Sequence, residues 1–124
     1  GLVRTFADAL AEYAPGWTPP RLDRPVTGQL HCHQHAVLGD APDRALRQQA
    51  GLAGTLTGGC CGLAGNFGYE PGHAGISTRI AAERLLPALE SAPDAEVLAD
   101  GVVGKFSRVL ETDGIKDRII TAER

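Results

Sequence analysis

Two adjacent cysteines, Cys60 and Cys61, stand between glycines in the run Gly58-Gly59-Cys60-Cys61-Gly62. A thiolate is a soft ligand suited to iron–sulfur clusters and to zinc. Neighbouring residues can turn both sulfurs toward one metal assembly only where the backbone bends sharply, and the flanking glycines permit such a bend. The N–H groups of such a loop can also donate to metal-bound sulfur and tune its potential. The plainer reading is that free cysteines are often small buried hydrophobes. A third thiol, Cys32, lies in His31-Cys32-His33-Gln34-His35. Imidazole and thiolate both bind metals, so His31 and His33 are candidates for an additional ligand or a supporting group. His73, further along, is another candidate and could equally begin the helix that follows it. For any single histidine, a surface or supporting role is the commoner use.

The chain contains only these three cysteines, an odd number that argues against a closed disulfide framework. Without a secretory signal, such thiols are more often metal-binding or catalytic than bridging. No Ser-His-Asp order, phosphate loop, paired carboxylates or dinucleotide fingerprint accompanies them. The net charge is −3, and no block of like charge occurs, so nucleic acid is not an expected partner. No apolar stretch approaches the roughly 20 residues that span a bilayer. The sequence holds no Met, which suggests a chain that begins inside a longer polypeptide.

The elements that must position the thiols follow from periodicity and punctuation. Leu2, Phe6, Leu10 and Tyr13 recur at helical spacing, predicting an amphipathic helix over residues 2–14 that Pro15-Gly16 stops. Four prolines between residues 15 and 25 make an extended connector, on which Trp17 is expected to pack against the surface. A strand is expected from Val26 to Cys32. Asp40 and Pro42 begin a helix from Ala41 to Ala50, which Gly51 closes. A short strand over Leu52–Leu56 leads into the glycine-rich loop. A helix from His73 to about Leu89 follows, with Pro87 expected to kink or shorten it. Its bulky apolar residues (Ile76, Ile80, Leu85, Leu86, Leu89) spread around the circumference, as in a helix buried on more than one side. Residues 95–99 read as a buried strand, and a helix–turn–strand over about 102–112 and 117–121 ends the chain. The alternation predicts an α/β fold: a small, mainly parallel sheet with helices packed on it. In such sheets functional groups gather beyond the carboxyl ends of the strands. Cys32, Cys60, Cys61 and the Asp100-Gly101 corner all follow predicted strands.

Three segments carry a family resemblance. They are His31-Cys32-His33-Gln34-His35-Ala36-Val37-Leu38-Gly39, then Gly59 to Glu70 (GCCGLAGNFGYE), then Leu98-Ala99-Asp100-Gly101. Together they resemble one half of the cysteine-rich CCG domain. That domain occurs in the heterodisulfide reductase B subunit, the glycolate oxidase iron–sulfur subunit, and large FAD-linked oxidases fused to an iron–sulfur half. The resemblance is closest to the C-terminal end of the last group and covers residues 1–101, with 102–124 a divergent tail expected to pack on the same domain. It implies a 4Fe-4S type cluster with Cys32, Cys60 and Cys61 as metal ligands. It also implies FAD in a missing flavin-binding portion, which would be the partner, and a lactate-, glycolate- or 2-hydroxyglutarate-type substrate oxidised there. No catalytic residue is then expected in this chain, which would not turn over substrate alone, and its place would be cytoplasmic or membrane-peripheral. The resembling proteins have a further cysteine within three residues of Ala-Asp-Gly, where this sequence has Val102, Val103 and Gly104. One thiol of the expected four is therefore absent. A zinc-holding Cys₃His site and a metal-free interaction domain of the same larger protein are the alternatives; thiol redox catalysis is remote without a C-x-x-C.

Overall fold

The computed structural model describes residues 2–99 together with the short strand Ile119–Ile120. The expected boundary at residue 101, the Asp100-Gly101 corner and Gly104 lie outside the described residues. Among the described residues, four helices, one 3₁₀ turn and four strands run in the order α1 (Phe6–Tyr13), β1 (Arg24–Gln29), α2 (Cys32–Val37), α3 (Ala41–Gln49), β2 (Leu52–Ala53), the 3₁₀ turn (Phe67–Tyr69), α4 (Ala74–Glu90), β3 (Glu96–Ala99) and β4 (Ile119–Ile120).

Every strand pair among the described residues is parallel, in the order β2-β1-β3-β4. The α/β class with a small parallel sheet is therefore as expected. β1 is central, with Val26 to Gln29 facing Glu96 to Ala99 of β3. The chain leaves β1 for β2 on one side, then crosses through α4 to β3 on the other. Such a reversal of winding opens a crevice outside the carboxyl ends of the strands, here between β1 and β3.

Side chains explain which faces are buried. Thr27 is buried and its hydroxyl donates to the Ala88 carbonyl of α4, so the odd-numbered positions of β1 look toward that helix. Val97, in register with Thr27, packs there with Leu85 and Leu89 in the fully buried core. α4 buries Ser77, Ala81, Leu85 and Leu89, one residue every fourth position. It thus has one buried stripe rather than burial on several sides, and Ile76 is exposed. The upper half of that stripe is made of small residues, which a search for bulky apolar side chains passes over. Pro87 does not shorten the helix, which runs on to Glu90. A proline this close to the end forfeits one backbone hydrogen bond, and the fully buried Leu89 holds the last turn in place.

Two other elements depart from expectation. α1 begins at Phe6 because Thr5 and Asp8 form a reciprocal capping box. It buries Ala7, whereas Leu2, Phe6 and Tyr13 of the anticipated apolar stripe are exposed. The side that carries Ala7, Ala11 and the capping Ala14, with Leu10 of the anticipated stripe, faces Pro42, Ala45 and Leu46 of α3 across a groove that Trp17 also lines. Alanines let two helices approach closely, and that closeness wins over the larger side chains. The strand expected to reach Cys32 ends at Gln29, and the histidine-flanked run is helical. No described helix is long and apolar enough to cross a membrane.

Candidate functional site

The thiols sit where β1 and β2 end. Thr57 N–H donates to the Gly28 carbonyl at 2.8 Å, and Leu30 N–H donates back to the Thr57 carbonyl at 2.9 Å. These bonds extend the parallel ladder beyond β2 and bring both exits from the sheet to one edge. Cys32 follows Leu30 by two residues, and Cys60 follows Thr57 by three.

Cys32 opens α2 and is exposed. His31 is the N-cap of that helix, its Nδ1 accepting from Gln34 N–H at 3.3 Å. A histidine nitrogen engaged as a cap is withdrawn from metal binding, so only Nε2 of His31 remains for a ligand role. His33 is exposed on the same short helix. His35, one turn beyond Cys32, is the histidine that approaches the second loop. A Cβ built on Gly58 would lie 3.0 Å from its Nε2. In sequence His35 lends weight to Cys32 with its neighbours but is not singled out beside His31 and His33, because the run reads as a strand end. Helical periodicity puts residues three apart on one face and would have paired it with Cys32.

The glycine-rich loop separates its two cysteines. Cys60 is exposed, and its Sγ accepts from Gly62 N–H at 3.3 Å. Cys61 is half-buried and packs against the Leu85, Leu89 and Val97 core. Two glycines make this turn possible. Gly59 has φ +97° and Gly62 has φ +92°, backbone that side chains resist. A Cβ on Gly62 would also stand 2.2 Å from the Ser77 carbonyl oxygen, so the loop lies directly on the first turns of α4. Ala64 takes φ +41° without being glycine, a local strain of the kind that gathers at working loops.

Groups the sequence did not single out support this turn. Gln29, the last residue of β1, is 4% exposed and donates from Nε2 to the Gly59 carbonyl at 2.7 Å. Its Oε1 is buried and has no hydrogen-bond partner among the described residues. Arg84 of α4 reaches the same place: its Cδ would be 3.2 Å from a Cβ on Gly59. In sequence, position is the one signal that marks them, since Gln29 precedes and Arg84 faces a loop at a strand end. His73 is occupied locally. It stands at the N-cap of α4, stacks on Phe67 with ring centroids 4.1 Å apart, and its Nδ1 lies 3.1 Å from the Phe67 carbonyl and 3.2 Å from Glu70 Oε2.

The three thiols therefore share an edge without being gathered. Among the described residues, no group of three or more His, Cys, Asp or Glu side chains is disposed to hold a metal ion. Comparison with protein-family models, with curated proteins and with solved structures finds no match.

Proposed function

We propose that this chain is an iron–sulfur electron-transfer module of a flavin-linked dehydrogenase of 2-hydroxy acids. Its partner would be the FAD-binding portion of the same polypeptide or a companion subunit, in the cytoplasm. The observation that carries the reading is the common edge. Two thiol-bearing segments, the start of α2 and the glycine-rich loop, leave neighbouring parallel strands at the same end and are joined there through Thr57 and Leu30. The specific CCG-x-A-G-x-F-G-Y-E run supplies the chemical identity by resemblance.

The donor set suits the group in kind: three soft thiolates on two segments that leave the same sheet edge. Cys32, Cys60 and Cys61 would hold a cluster, which supplies one-electron transfer when bound. Gly62 N–H, already directed at Cys60 Sγ, would stabilise negative charge on that sulfur. Cys61 would turn from its contact with Leu85 and Leu89 to join the set.

That same contact favours a second reading, in which Cys61 is a small packing residue and the chain is a metal-free interaction domain of the larger protein. Anaerobic reconstitution with iron and sulfide separates them. The unmodified protein is expected to take up iron substoichiometrically, because an incomplete ligand set binds weakly. Gly104→Cys is expected to gain visible absorbance, and Cys60→Ser made in that background to lose it. Stoichiometric colourless zinc in the purified protein, or iron uptake indifferent to Cys60→Ser, would overturn the cluster reading.

A further inference from the structure

We infer that Gln29 is a positioning residue for the Cys60–Cys61 turn, holding one thiol outward and the other against the core. It deepens the cluster reading, since it assigns what keeps the candidate ligands in place, but it is tested in metal-free protein.

The geometry is specific. Gln29 ends the central strand β1 and shares the α4 side of the sheet with Thr27. Its Nε2 donates at 2.7 Å to the carbonyl of Gly59, the residue that immediately precedes the cysteine pair. Gly59 is also where the backbone enters its φ +97° turn. Fixing that carbonyl fixes the peptide plane leading into Cys60, and with it the directions in which the two side chains depart. Cys60 then lies over Gly62 N–H, and Cys61 lies on Leu85, Leu89 and Val97.

Folding alone does not account for an amide here. Gln29 is 4% exposed, and among the described residues its Oε1 has no hydrogen-bond partner, an arrangement that opposes stability. A methionine would fill nearly the same volume without burying that oxygen. What methionine cannot do is donate to the Gly59 carbonyl.

The experiment compares the unmodified chain with Gln29→Met and Gln29→Glu, all metal-free and reduced. A small disulfide reagent that reacts at low as well as neutral pH labels the thiols, and peptide mass spectrometry resolves the rate at each. In Gln29→Met the rate at Cys61 relative to Cys60 is expected to rise by roughly fivefold, the scale of one lost hydrogen bond. Cys32, on its separate helix, should keep its rate, and the melting temperature should stay level or rise. Gln29→Glu can donate only while protonated. Its ratio should match the unmodified protein at the acid end of a pH series and approach that of Gln29→Met at the alkaline end. An unchanged ratio in Gln29→Met overturns the proposal, as does acceleration of all three thiols together with a lower melting temperature. A glutamate variant whose ratio ignores pH while differing from the unmodified protein also overturns it. Because no metal enters the assay, failure here leaves the cluster reading standing, and failure of reconstitution leaves this assignment standing.

Discussion

Three thiols of one chain meet water on different terms. Cys32 and Cys60 are exposed, while Cys61 is half-buried against the core. Alkylation under reducing conditions should therefore modify Cys32 and Cys60 first and Cys61 last, a ranking that site-resolved mass spectrometry reads directly. Equal rates at all three would contradict the split turn. Arg84 stands beside Gly59 and is exposed. Arg84→Glu should slow thiolate attack at Cys60 by a few-fold at most, since exposed charges interact by about 1 kcal/mol or less. Added salt should erase the difference. Gly62→Ala should behave differently. It would place a methyl 2.2 Å from the Ser77 carbonyl on a backbone with φ +92°. A cost of about 1–3 kcal/mol from the backbone conformation alone is expected, with further loss from the clash, measurable by chemical denaturation. Preserved stability in that variant would mean the loop does not lie on α4 as described.

At the scale of elements, the caps set boundaries and packing sets faces. Thr5→Ala removes the acceptor for Asp8 N–H and should cost about 1 kcal/mol of helix stability. The loss should appear as faster amide exchange confined to α1, because that helix packs chiefly on α3. Much of this layer was legible beforehand. The parallel α/β alternation, α3 between Asp40 and Gly51, and the strand at residues 96–99 follow from punctuation that acts locally. Three things were not legible, for one physical reason. The buried stripe of α4 includes Ser77 and Ala81, α1 docks by its alanines, and the Cys32 run is helical. Each depends on how near a second backbone comes. The glycine loop reaches Ser77, α3 reaches Ala7, and the backbone N–H of Gln34 comes up to His31 Nδ1 where the strand gives way to α2. Side-chain periodicity carries no record of such approaches. The site was partly legible: the thiols and the histidines around Cys32 stand out by type and spacing, whereas Gln29, Arg84 and the approach of His35 to Gly58 emerge only once the sheet edge is folded.

For the molecule as a whole, the described core is narrow. Leu85, Leu89 and Val97 are its largest fully buried side chains, while Phe6, Tyr13, Val37 and Leu38 remain exposed. Leu85→Ala should cost about 2–5 kcal/mol, a large share of the stability expected of a domain this size. An unfolding midpoint unaltered by Leu85→Ala would show that the packing of α4 on the sheet is not what holds the fold. The thinness of that core has another side. Anything that binds the native state and not the unfolded chain adds to the stability of the fold. A ligand present at a hundred times its dissociation constant adds about 2.7 kcal/mol to the folded form. In a chain of roughly this length that is a rise of many degrees in melting temperature. Scanning iron, zinc, cadmium and cobalt salts against the reduced protein would thus weigh each occupant by the heat the fold withstands, with no need for a turnover assay.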